Sequence, residues 1–315
     1  MSTAATMVLD SASLYFRSFF ALPESMTAPD GRPHNAVRGF VSTLTRLVDA
    51  HGPASVVAAW DADWRPAWRV ALLPSYKTHR LADPAGAESG AGGAPPGEME
   101  PESLGPQAVA IEALLTALGV PVWGVPEHEA DDVVASVCAQ VRGPVVAVSG
   151  DRDLVQVVSD SARLLLAVNG GMEKWPLLDA DAVRERFGVD AGRYVDLAVL
   201  RGDPSDGIPG VPGIGAKTAA ALVEAFGGVE DILAAAASTP VRPMTPRLAA
   251  ALTTSADEVR RARVVATARP DLALPGTPPP LPVVDADPDG LAALADAWGV
   301  QRQIADLHAA IARTR

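Results

Sequence analysis

Nine carboxylates in five separate stretches carry the most chemistry in this sequence: Asp10; Asp61; Glu129, Asp131 and Asp132; Asp151 and Asp153; Asp203 and Asp206. Gathered without cations, two such charges 4 Å apart repel by roughly 4 kcal/mol at an effective dielectric near 20. Hard divalent cations with oxygen ligands relieve that repulsion, and Mg²⁺ or Mn²⁺ suit an all-carboxylate set. Two such ions about 4 Å apart can activate a water and stabilise the leaving oxygen of a phosphodiester. Each acid also has a plainer reading. An Asp after a strand starts a turn or caps a helix, and acids at the start of a helix complement its dipole.

The carboxylates can act together only if the elements carrying them converge. Met7-Val8-Leu9-Asp10, Ser55-Val56-Val57-Ala58-Ala59-Trp60-Asp61 and Val145-Val146-Ala147-Val148-Ser149-Gly150-Asp151 read as apolar strands that run into an acid. Residues 120–125 and 162–168 read as two further strands, and 35–50, 107–118 and 129–141 have helical spacing. The alternation indicates an α/β domain over 1–178, a parallel-type central sheet with helices on both faces. The carboxyl ends of parallel strands share one edge, and sites form in the crevice there. Asp10, Asp61 and Asp151 are therefore expected to meet.

From 179 to 315 the pattern is mainly helical, with short helices over 181–187, 193–200, 217–226 and 230–237. An extended Pro-rich stretch covers 270–282, and terminal helices cover 291–298 and 303–312. Residues 82–106 differ in character, with six glycines, five prolines, five acids and no Lys or Arg. Such a segment cannot bury enough surface to offset its ordering entropy, so it reads as a mobile insertion in the sheet domain.

Gly210-Val211-Pro212-Gly213-Ile214-Gly215-Ala216-Lys217-Thr218 is the second chemical signal. Its glycines allow close backbone approach, and the helix that follows points free N–H groups at the loop, which suits a phosphate oxygen. The glycine spacing is wrong for a Walker A loop. The string resembles a helix-hairpin-helix, over about 203–226, which grips a nucleic-acid backbone without reading bases.

The net charge of −12, taken alone, argues against nucleic acid. A sum does not report placement, however, and bound cations would change the field a substrate meets. No apolar run approaches the ~18 residues of a membrane span, and no basic n-region marks a signal peptide. Cys138 is the sole cysteine, which excludes an intrachain disulfide and a thiolate metal site and fits the cytoplasm.

In combination these motifs resemble the 5′-nuclease domain of bacterial DNA polymerase I and the flap endonucleases, from about 7 to 266. The likeness is carried by Leu9-Asp10-Ser11-Ala12-Ser13-Leu14-Tyr15-Phe16-Arg17, Trp60-Asp61-Ala62, Tyr76-Lys77-Thr78-His79-Arg80, Glu129-Ala130-Asp131-Asp132 and Ser149-Gly150-Asp151-Arg152-Asp153-Leu154. It ends with Gly202-Asp203-Pro204-Ser205-Asp206-Gly207-Ile208-Pro209 leading into the Gly210 loop. The resemblance implies a resolvase-like, PIN-like sheet domain followed by the helix-hairpin-helix. It implies a first metal site from Asp10, Asp61, Glu129 and Asp131, with Asp132 close by. A second would use Asp151, Asp153, Asp203 and Asp206. Lys77 and Arg80 match the pair that contacts the scissile phosphate, so they join Asp10 and Asp151 as catalytic candidates. Arg17, Arg69, Gly210, Gly213, Gly215, Lys217 and Thr218 match DNA-binding positions, and the loop implies a K⁺ ion. Gly207 stands where relatives usually have Asn, and 82–106 is acidic where relatives have an often basic arch.

The implied activity is that of a 5′-3′ exonuclease and 5′-flap endonuclease with Mg²⁺ or Mn²⁺, leaving 5′-phosphate and 3′-hydroxyl ends by in-line attack of water. Its substrates would be DNA with 5′ ends, nicks, gaps or flaps, including RNA–DNA hybrids, in replication and repair. A stand-alone, nucleoid-associated monomer is expected, with a DNA polymerase or sliding clamp as candidate recruiting partner. Two other readings stand beside it: a DNA-structure binder with little catalysis, and a ribonuclease on a related metal-nuclease sheet.

Overall fold

Residues 5–81, 101–238 and 241–314 are described by the structure, a computed structural model. The chain opens with strand β1 (Thr6–Asp10), helices α1 (Ser11–Ala21) and α2 (Asn35–His51), strand β2 (Ser55–Ala59) and the short helix α3 (Ala67–Leu72). Helix α4 (Gly105–Leu118), strand β3 (Val122–Trp123), helix α5 (Ala130–Gln140) and strands β4 (Val145–Ser149), β5 (Ala162–Leu166) and β6 (Leu177–Leu178) complete the sheet region. Helices α6 (Ala180–Phe187), α7 (Tyr194–Arg201), α8 (Ala216–Phe226), α9 (Val229–Ala236) and α10 (Pro246–Ala266) follow, then α11 (Pro288–Trp298) and α12 (Gln301–Arg313).

The strand order is β3-β2-β1-β4-β5-β6, parallel throughout except for β6, which pairs antiparallel with β5. Period-2 alternation splits the strands between two cores. Met7, Leu9, Val56 and Ala58 face α2 and α4; Val8, Val57 and Ala59 face α5. The sheet is therefore apolar on both faces, as a parallel sheet under helices requires. Chain direction reverses across β1: β2 and β3 lie on one side, β4 and β5 on the other. That is the switch point at which doubly wound sheets place their sites.

A third core joins α7, α8, α9 and α10 to Leu73 and Tyr76. Helix α7 belongs to both units. Tyr194 and Ala198 pack into the sheet core, while Val195, Leu197 and Val199 pack into the helical one. The helix-hairpin-helix is thus mounted on the sheet through one shared helix.

Periodicity does not announce three of the helices. Helix α1 shows in the sequence only as motif residues, and α3 is short. Helix α10, 21 residues long, carries a legible start signal: Thr245 accepts from the Leu248 N–H as N-cap, and Pro246 occupies the first turn. The Pro-rich stretch has no helix or strand, and it is pinned at both ends. Arg269 N–H donates to Asp132 at 2.8 Å, and Leu281 N–H to the Ala54 carbonyl at 2.8 Å.

The terminal helices depart from the expected division. Helices α11 and α12 do not extend the helical region; Leu291, Trp298, Ile304, Leu307 and Ile311 join the core made by α2, α4 and the sheet. The C-terminal end of the expected insertion, from 101 to 106, is described chain that turns into a helix. Residues 82–100 lie outside the described residues, but Leu104 is fully buried and α4 starts at Gly105.

Candidate active site

Asp10 ends β1, and Asp61, Asp131 and Asp151 follow at the carboxyl edge of the sheet. Asp10 caps α1 and also bonds across to the end of β4. Oδ1 accepts the Ser13 N–H at 3.1 Å, capping α1, while Oδ2 accepts the Ser149 hydroxyl at 2.5 Å. The Ser149 hydroxyl also accepts the Asp151 N–H at 2.9 Å, and Asp151 accepts the Asp153 N–H at 2.8 Å. A chain of hydrogen bonds therefore runs from β1 through β4 to the turn beyond it. Asp61 accepts the Ala130 N–H at 2.7 Å, which ties the end of β2 to the start of α5.

Electrostatics show which acids share a crevice. Burial, then Asp61 and Asp151, push the Asp10 carboxyl up to about 7, against opposing hydrogen bonds from Ser149 and Ser13. Burial, Asp151 and Asp10 hold Asp131 well above the carboxylate range. Burial, Asp151, Asp206 and Asp203 do the same to Asp153. Asp206 is raised to about 6 by burial, with Lys77 and Arg80 opposing. Burial also raises Asp61, with Glu129 adding to it. Asp151 is the neighbour common to Asp10, Asp131, Asp153 and Asp206. Among the described residues no three Asp, Glu, His or Cys side chains close on one point as a ready coordination shell. The acids line a crevice instead. Crowded, desolvated carboxylates with raised pKa values are a donor set that fits hard divalent cations.

Glu129 and Asp132 are engaged differently. Arg69 pairs with both, and the Tyr76 hydroxyl at 2.7 Å and the Lys77 ammonium also reach Glu129. Asp132 further accepts the Glu129 N–H at 3.2 Å and the Arg269 N–H at 2.8 Å, so protein donors occupy both of its oxygens. Burial works most strongly against the charges of Arg69 and Lys77, but Glu129 together with the other acids around it outweighs burial, and both pKa values rise.

Two of the basic residues expected at DNA are engaged within the fold. Arg69 is 3% exposed, and its guanidinium pairs with Glu129 and Asp132. Arg17 commits its guanidinium to the Ala167, Val168 and Gly170 carbonyls and to the face of Trp175, so it ties down the loop after β5. Arg80, by contrast, is exposed and reaches Ser205 O at 3.0 Å and Asp206 at 3.5 Å. Lys77 is only 7% exposed, in a left-handed backbone conformation (φ 51°).

The helix-hairpin-helix loop joins α7 to α8. Gly213, Gly215 and Lys217 are exposed, Thr218 is half-buried, and the N-cap Gly215 supplies no side chain to the first N–H groups of α8. Gly210 acts instead through its lack of a side chain. At φ 71°, a Cβ there would strike the backbone of Arg201 and Gly202. Gly207 packs equally tightly. Its φ is 70°, and a Cβ would collide with the Ser75 carbonyl. The Lys77 N–H donates to the Asp206 carbonyl beside it at 3.1 Å, so the Lys77 segment is docked on the Asp203–Asp206 turn. Sequence reasoning misses Ser149, Tyr76 and Arg201, which support Asp10, Glu129 and Asp203. Their adjacency to motif acids and to Lys77 is the available signal.

Two family profiles cover this architecture: "5'-3' exonuclease, N-terminal resolvase-like domain" over residues 5–188 and "5'-3' exonuclease, C-terminal SAM fold" over 189–289. The chain belongs to the 5′-3′ exonuclease family. The nuclease is 48% identical over 298 residues to a 5′-3′ exonuclease of Streptomyces coelicolor, covering 93% of this chain and 96% of that one. It is 35% identical over 231 residues to DNA polymerase I of Mycobacterium bovis, covering 72% of this chain and 24% of that one. The nuclease shares its fold with the bacteriophage T5 flap endonuclease, solved as a pseudo-enzyme–product complex with DNA and metal ions. The TM-score is 0.61 at 20% identity, with 98% of each chain covered.

Proposed function

We propose that this nuclease removes 5′ ends and flaps from DNA, hydrolysing phosphodiesters to leave a 5′-phosphate and a 3′-hydroxyl. The observation that carries the reading is the crevice at the β1 switch point, where Asp151 stands among Asp10, Asp131, Asp153 and Asp206 and raises each of them, with Asp61 beside Asp10 and Lys77 and Arg80 in the same field. Asp10, Asp61, Glu129 and Asp131 would hold one divalent ion, Mg²⁺ or Mn²⁺. Asp151, Asp153, Asp203 and Asp206 would hold a second. Asp132, saturated by protein donors, orients Arg69 instead. Such cations supply Lewis-acid charge for attack by water and for departure of the 3′-oxygen.

The protein's own groups do the rest. Ser13 and Ser149 fix the Asp10 carboxylate, so the acids are positioned before substrate arrives. Arg80 stands exposed beside Asp206 and can meet a phosphate directly. Lys77 reaches one by leaving Glu129, which Arg69 and Tyr76 continue to satisfy. Both cations would stabilise the charge that grows on the transferring phosphoryl group. Water attacks opposite the 3′-oxygen, loses a proton, and the 3′-oxygen departs and gains one. The free N–H groups at Gly215–Lys217, with K⁺ at the Gly210–Gly215 loop, would seat the duplex backbone without reading sequence. Recruitment by a DNA polymerase or sliding clamp belongs to the same proposal.

The test is product sizing on 5′-labelled nicked, gapped and flapped duplexes, DNA and RNA–DNA, with Mg²⁺, with Mn²⁺ and in chelator. Metal-dependent release of short 5′ products and flaps, with ligatable ends, is expected. No cleavage at any 5′ end with either metal would remove the reading.

A further inference from the structure

Helices α11 and α12 form a hairpin through the turn Gly299-Val300, and a trough runs between them. It consists of two adjoining cavities of about 420 and about 270 Å³ that share Asp285, Pro288 and His308. Leu291, Ile304 and Ile311, which belong to the sheet-domain core, reach its floor. The exposed Ala292, Ala305 and Ala312 leave it open to solvent. Val283 and Val284 border its wider end at 69% and 76% exposure. Single exposed apolar residues are ordinary, but two in succession beside an apolar trough mark a surface suited to being covered.

That end lies at the amino edge of the sheet. The Leu281 N–H donates to the Ala54 carbonyl just before β2, and a Cβ on Gly119, shortly before β3, would meet Pro282 and Ala286 at 3.5 Å. The acid crevice occupies the opposite, carboxyl edge. An occupant of the trough therefore leaves the crevice free for DNA.

The charges around the trough indicate what covers it. Asp285 and Asp296 line it, and Asp287 and Asp289 flank Pro288 at the start of α11. The basic side chains of residues 282–314 are Arg302, His308 and Arg313, and each already has an acid: Asp306 at 3.8 Å, Asp285 at 2.8 Å and Asp49 at 2.8 Å. The rim is thus acidic in excess, which repels a phosphate backbone or an anionic lipid surface. A second copy docked isologously would set the same acids against each other. The complementary charge is cationic. The complementary shape is a helix, whose row of side chains at i, i+4 and i+7 fits the groove between two packed helices.

We propose that the trough between α11 and α12 docks an amphipathic helix of a partner protein, apolar on one face and bearing Lys or Arg beside that face. The partner would hold the nuclease by its flank while DNA occupies the crevice. This docking does not depend on the metal reading above.

The experiment titrates the full-length protein into fluorescein-labelled helical peptides of ~16 residues, read by anisotropy. Each peptide carries leucines at i, i+4 and i+7 on one face, flanked by Lys and Arg, by Gln, or by Glu. The basic peptide is expected to bind saturably and about tenfold more tightly than the acidic one. Ala305→Arg, which fills the trough and adds a like charge, should weaken its binding about tenfold or more. Val283→Ser combined with Val284→Ser should weaken all three peptides, while Asp296→Lys should reduce the preference for basic flanks. Native melting temperature and flap cleavage are expected in every variant, since none of these residues lies in the crevice. If Ala305→Arg melts lower, the exposed valine pair decides. Three results overturn the proposal: no saturable binding by any peptide, equal binding of the basic and acidic peptides, or binding that the Ala305 and valine variants leave unchanged. A native dimer in sedimentation velocity that Ala305→Arg dissolves also overturns it, by giving the trough to a second copy.

Discussion

Glu129 receives Arg69, Tyr76 and Lys77 together, and Asp132 shares the same arginine. Removing Arg69 would leave two buried carboxylates short of their main partner. Arg69→Met is therefore expected to cost about 3–5 kcal/mol, read from urea unfolding in chelator; an unchanged midpoint would mean that the pair contributes nothing. Asp10 is the opposite case. Its charge is unfavourable to the metal-free fold, so Asp10→Asn should leave stability in chelator equal or higher. Flap cleavage should meanwhile fall by roughly 10²–10³-fold or more, and near-native turnover would show that Asp10 holds no ion. The same raised values fix a pH dependence. Asp10 at about 7 and Asp206 at about 6 bind protons in the native state that the unfolded chain releases near 3.8. Their stabilising contribution is thus present below about pH 4 and lost as pH rises through about 6–7. The melting temperature in chelator should fall across that window, and Mg²⁺ at pH 8 should restore it; a flat profile would contradict the crowding of these acids.

At the level of elements, the turn Asp203–Asp206 and the segment carrying Lys77 act as one piece. Gly207 permits their contact, because any side chain there would meet the Ser75 carbonyl at a positive φ. Lys77 itself holds a left-handed backbone that costs on the order of 1–3 kcal/mol, and its N–H bond to Asp206 O helps to maintain it. Gly207→Ala should separate the two segments. The expected result is a stability loss of about 1–3 kcal/mol with a larger fractional fall in kcat than in DNA affinity. Equal loss of both would instead place the turn in substrate docking.

For the molecule as a whole, α11 and α12 close the sheet domain that the first strands opened. Leu307 is 1% exposed and belongs to a core containing Phe40, Leu44 and Leu47 of α2. Leu307→Ala should destabilise the protein by about 2–5 kcal/mol, measured by denaturant unfolding. Flap cleavage well below the midpoint should remain native, since α12 contributes no residue to the crevice; a selective loss of activity would revise that separation. Among the described residues no helix is long and apolar enough to cross a membrane. The net charge of −12 proves a poor guide, because much of its local excess sits in a crevice suited to cations.

Much of the sheet was legible because strands announce themselves by short apolar runs, and three of those runs end in acids. Parallel pairing then forces the ends to one edge, so the meeting of Asp10, Asp61 and Asp151 follows from local pattern and general topology alone. Burial by the C-terminal helices was not legible. The amphipathic stripe of α12 shows that it needs a partner, but the same stripe would serve α8 or α2 equally, and only long-range packing chooses. Partners of individual charges were hidden for the same reason. Arg69 and Arg80 are both cations near a motif in sequence, yet one is enclosed behind Glu129 and the other faces solvent. A side chain's role depends on what surrounds it in space, whereas hydrophobic period and residue type report only what the chain can form locally.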